Sequence, residues 1–136
     1  MNELLGDIMK HWAFFLGLGA LFTHELDAVA NHEWRVLPLI RALPEDSGAF
    51  LFIMAHLPIF ALVVALVASP DAKIQLRSRV ALSLFLIIHG ILHTLFMNHP
   101  AYEFSSTLSN ILIFGGSIFG ATHLMFEVRD RNAMAA

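Results

Sequence analysis

Four apolar runs, each about 20 residues long, leave this chain few folds to choose from. The first covers roughly residues 11–31 and opens Trp12-Ala-Phe-Phe-Leu-Gly-Leu-Gly-Ala-Leu-Phe, with no polar stripe. A helix on the surface of a soluble domain would carry one. The others cover roughly 49–68, 79–98 and 104–126. A helix of about 20 residues spans a hydrocarbon core about 30 Å thick. Ser69-Pro70-Asp71 closes the second run and His99-Pro100 the third, where proline stops a helix. Pro58 lies inside the second run and predicts a kink of the kind membrane helices tolerate. Two of the three connections are short, which favours antiparallel neighbours. The expected fold is all-α: a single domain over residues 1–136, built as a four-transmembrane-helix up-down bundle.

Composition agrees. Residues are 57% hydrophobic and only 14% charged, against about 25% charged in ordinary soluble domains. A net charge of -3 gives no electrostatic footprint for nucleic acid. Without cysteine there is neither a disulfide framework nor a thiolate metal site. Asn2, Glu3 and Asp7 precede the first run, which ends in acids and histidine rather than a small-residue cleavage site. It therefore does not read as a signal peptide. Lys10, Lys73, Arg77, Arg79, Arg129 and Arg131 fall on one side of the predicted membrane, and Arg35 and Arg41 on the other. The positive-inside bias places both termini in the cytoplasm, with the protein in a bacterial inner membrane. The 12 phenylalanines are expected to face lipid or core.

Eight histidines are the anomaly. Two belong to Thr23-His-Glu-Leu-Asp-Ala-Val-Ala-Asn-His-Glu-Trp-Arg35, which also holds three carboxylates. At 1.5 Å per residue from the predicted outer ends, His24 and His56 lie about 10 Å deep and Asp27 about 6 Å. His89, His93 and Asn110 lie about 14, 8 and 9 Å deep. One layer thus collects ionisable groups from three helices, where such groups are costly and usually functional. His89 and His93 share a helix face at i, i+4, and His24 and Asp27 share one at i, i+3. Glu25 points about 100° away.

Imidazole and carboxylate donors suit a divalent metal, zinc first and iron second. The predicted metal set is His24, His56, His89 and His93, with Asp27 as ligand or base. Glu25 and Asp27 are the candidate catalytic carboxylates, as general base or as second-shell partner of a ligand histidine. Zinc, a bound water and a carboxylate suffice for a metal-dependent membrane hydrolase acting on a lipid-like substrate. Two other readings compete. One is a redox protein, with haem held by His56 and His89 or His93, or with a di-iron centre. The other is a non-enzymatic protein that binds, transports or senses metal ions or protons. His11 and His123 read as helix–helix hydrogen-bond partners. His32, Glu33, Arg35 and His99 read as interfacial, with Trp34 as an anchor. His99 and Glu103 would form a lid, and Glu103, Thr107, Asn110 and Ser117 a polar stripe along the same cavity. Gly116 and Gly120 allow close helix contact, within the chain or in a homo-oligomer.

The Thr23-His-Glu-Leu-Asp-Ala block, His32-Glu-Trp-Arg-Val-Leu-Pro, Ala55-His56-Leu-Pro58, the His89-x-x-x-His93 pair and Asn98-His99-Pro100 carry a resemblance. Together they resemble a family of small bacterial four-helix integral membrane proteins of unknown function. The resemblance implies the fold and the grouping of these histidines, and no particular reaction.

Overall fold

A computed structural model describes residues 2–135. Four α-helices make up the chain: α1 (Asn2–Ala30), α2 (Glu45–Val67), α3 (Ala72–Phe96) and α4 (Thr107–Ala135). A 3-10 turn (Glu33–Arg35) follows α1, and there is no strand among the described residues. All four helices are long and apolar enough to cross a membrane.

The helices outrun the apolar segments. α1 begins at Asn2 rather than near residue 11, and α4 continues to Ala135 rather than ending near 126. Polar pairing supports these extensions. Lys10 of α1 bridges to Asp130 and lies 3.8 Å from Glu127, both on α4. α3 begins at Ala72 because Asp71 caps it, accepting from the N–H groups of Lys73 at 2.8 Å and Ile74 at 3.1 Å. α4 starts three residues later than the apolar run, where the Ser106 hydroxyl accepts from the Ser109 N–H at 2.9 Å. α2 passes through Pro58 without a break.

α4 packs along both α1 and α3, whereas α2 leans on α3 and the 33–35 turn and barely touches α1. Small residues let α4 sit close. A Cβ on Gly120 would lie 2.7 Å from the Ser83 carbonyl oxygen, and one on Gly17 would lie 2.8 Å from Leu86 Cδ1. The Gly116–Gly120 face thus meets Ala20, Ser83 and Leu86 of its own chain. Gly120→Ala is expected to lower stability by about 1–3 kcal/mol through overpacking, read as a lower thermal midpoint. Gly19→Ala, with nothing within 4 Å of the new methyl, raises the midpoint slightly, because alanine is the better helix former.

Two apolar clusters bracket a polar layer. Phe14, Leu21, Val67, Leu82 and Leu86 form one, and Ala28, Trp34, Phe52, Phe104 and Ile113 the other. On α1, His24 falls between Leu21 and Ala28. Trp34 is not the interfacial anchor the sequence suggests. It is buried beside Phe52, and its indole N–H donates to Glu45 at 3.0 Å. The cause is local. His32 adopts a left-handed conformation, φ 50°, which folds the chain back over the end of α1 and carries Glu33 and Trp34 inward.

Candidate metal centre

Three imidazoles meet in the polar layer. His24 on α1 is 1% exposed, and His89 and His93 stand one turn apart on α3. Ring centroids are 4.8 Å apart for His24–His89, 4.9 Å for His24–His93 and 4.5 Å for His89–His93. One ring nitrogen from each lies within 4.8 Å of the others. Neither ring nitrogen of His24, nor Nε2 of His89, has a hydrogen-bond partner. Each such buried group costs about 1–3 kcal/mol, so leaving these nitrogens unpaired lowers the stability of the protein. Phe104 packs against His24 and His93, with centroids at 5.3 and 4.9 Å, and walls the triad off on the α4 side.

Glu33 faces the triad from the 3-10 turn. Its Oε2 is 4.0 Å from His24 Nε2 and its Oε1 is 3.7 Å from His93 Nε2. Burial, reinforced by the nearby carboxylates of Glu25 and Asp27, pushes its carboxyl up to about 8. A cation in the triad would favour the carboxylate form. The Tyr102 hydroxyl lies 3.2 Å from His93 Nδ1. A proton on that nitrogen donated to Tyr102 leaves the Nε2 lone pair directed at Glu33 and the triad. Burial and Glu33 together push the Tyr102 phenol up.

His56 sits elsewhere in the same layer. Its Nδ1 donates to the Phe52 carbonyl at 2.7 Å, and its Nε2 is 2.9 Å from Glu25 Oε2. With Nδ1 already donating, the second contact requires a proton between imidazole and carboxyl, so the pair holds one proton and is neutral as a unit. His56 and Glu25 line a cavity of about 330 Å³ that also exposes Glu33, His89, His93 and Tyr102. Asp27, one turn beyond His24, has a buried, unpartnered Oδ2.

Over the mouth, Arg35 bridges to Glu45 at 2.8 Å and Glu103 at 2.9 Å, and His32 reaches Glu103 at 2.9 Å. His99 accepts from the Ala101 N–H and closes a local turn. Asn110 and Ser117 bond to backbone carbonyls of Ser106 and Leu86. At the far end of the bundle, Ser83 Oγ lies 2.8 Å from His123 Nδ1, and Glu127 lies 3.6 Å from His123 Nε2. The order resembles a serine hydrolase triad. Ser83 is wholly buried against Gly120, however, so no substrate reaches its hydroxyl, and the group ties α3 to α4.

Sequence reasoning placed Glu33 at the interface. Only the left-handed turn at His32 brings it inward, and no periodicity signals a turn of that kind at a residue other than glycine.

A family model described as a family of unknown function (DUF6713) matches residues 10–130. Neither the curated proteins nor the solved structures offer a match to the chain.

Proposed function

Since the chain belongs to this family of unknown function, we propose its role from the site itself: a metal-dependent hydrolase of the bacterial inner membrane, acting on a lipid-like substrate. The bundle runs up-down-up-down with both termini cytoplasmic, which turns the histidine end outward. His24, His89 and His93 are the ligands, for zinc first and iron second. The observation that carries the reading is the convergence of three imidazoles, with buried nitrogens of His24 and His89 unpartnered. One ring nitrogen of each lies within 4.8 Å of the others, so the three would hold a metal ion between them.

A metal held by His24, His89 and His93 would supply an acidified water and polarise a substrate carbonyl. Glu33, facing the triad, would accept a proton from the water as its oxygen bonds to the carbonyl carbon and would give that proton to the leaving oxygen or nitrogen as its bond to the carbon breaks. Tyr102 would orient His93, with Asp27 one turn beyond His24. Glu25 acts in support, through His56.

The test is metal content in purified variants. The His89→Ala, His93→Ala double variant is expected to lose the metal while staying helical by circular dichroism. His56→Ala is expected to keep it, because His56 bonds Glu25 rather than the triad. Unchanged metal in the double variant overturns the ligand set.

A further inference from the structure

A second cavity, of about 290 Å³, adjoins the first. Leu21 and Phe22 of α1, Ile59 and Val63 of α2, and Phe85 of α3 are among its walls. Glu25, His56, Ile59 and Phe85 line both cavities. From His56 to Val63 the apolar chamber follows about 10 Å of α2, leading away from the metal centre towards the middle of the bundle. It lies along the seam between α1 and α2, where the tilted rings of Phe22 and Phe60 meet with their centroids 4.4 Å apart. In a bilayer the outer side of that seam faces lipid tails.

Charge is the second constraint. The two chambers are lined by the carboxyls of Glu25 and Glu33 and by no lysine or arginine. Arg35, over the mouth, is engaged by Glu45 and Glu103. No basic side chain lines either chamber to accept an anionic headgroup, and the desolvation cost of burying one is several kcal/mol.

Resting on the metal-centre reading, we propose that the substrate is a single-chain amphiphile with an uncharged head and a neutral ester or amide link. Its tail fills the chamber between α1, α2 and α3, and the link sits where Glu25 and His56 divide that chamber from the metal. With both His56 nitrogens engaged, the second carboxyl oxygen of Glu25 is left as an acceptor there, which suits a hydroxyl of a neutral head. Lipids with an anionic head are excluded as substrates.

The test is equilibrium binding to the protein in lipid nanodiscs. The probes are radiolabelled 1-O-dodecylglycerol, which has no bond for the site to hydrolyse, and dodecyl phosphate of equal chain length. Saturable one-to-one binding of the glycerol ether, tighter than that of the phosphate by about tenfold or more, is expected. Ile59→Trp and Val63→Trp fill the tail chamber from two positions. Each is expected to weaken binding by about tenfold or more while metal content stays that of the wild type. Ile59 is half exposed, so its replacement leaves the fold intact even where Val63→Trp does not. Equal or tighter binding of the phosphate overturns the charge argument. Unchanged binding in both tryptophan variants, or no saturable binding of either probe, overturns the chamber as a substrate site. In both cases metal content still reports separately on the triad. Absence of metal with intact tail binding would overturn the metal reading alone.

Discussion

His24→Leu gives a metal-free protein more stable than metal-free wild type, and one that no longer responds to metal. His24 is 1% exposed, and neither of its ring nitrogens has a partner. Leucine fills similar space without leaving polar atoms unpaired, so the chelated variant gains about 1–3 kcal/mol. Wild type recovers more than that on loading, by about 4 kcal/mol at a thousandfold excess of metal over Kd. Thermal unfolding in nanodiscs, with and without chelator, reads both effects. The two proteins therefore change rank when metal is added. A histidine that served packing alone would give the opposite first result, with His24→Leu less stable than wild type under chelator and no exchange of rank.

Glu33→Gln separates metal binding from chemistry. The amide keeps the size of the side chain and its place opposite His24 and His93, 4.0 and 3.7 Å away. It cannot accept the proton of an attacking water. Hydrolysis of a single-chain neutral ester by the metal-loaded variant is expected to fall by about a hundredfold to ten-thousandfold, with metal content close to one per chain. Asp27→Asn, which removes a charge rather than the group facing the triad, lowers the rate less. Equal rates for Glu33→Gln and wild type would remove Glu33 from the reaction.

How much of this was legible before the structure depends on the kind of information each residue carries. Apolar length announced the four helices, and the i, i+4 spacing put His89 and His93 on one face. Matching depth then brought His24 to their level. Depth does not encode the angle around a bundle, however. His56 lies in the same layer but meets Glu25 across the α1–α2 seam. The polar stripe on α4 misled for a related reason, since Asn110 and Ser117 satisfy backbone carbonyls. Glu33 was hidden for a different reason. It reaches the triad through a turn at His32 with φ 50°, a conformation uncommon at residues other than glycine. The helix ends ran past the apolar segments because Lys10, Glu127 and Asp130 neutralise one another, which hydropathy alone does not register.

The central claim is that His24, His89 and His93 hold one metal ion. Elemental analysis with an absorption spectrum, on wild-type protein purified in a chelator-free detergent and reloaded in parallel with zinc and with iron, tests it most directly. The account predicts about one divalent ion per chain, zinc in preference to iron, and no band in the Soret region. A Soret band, two irons per chain, or no metal retained after reloading would contradict it.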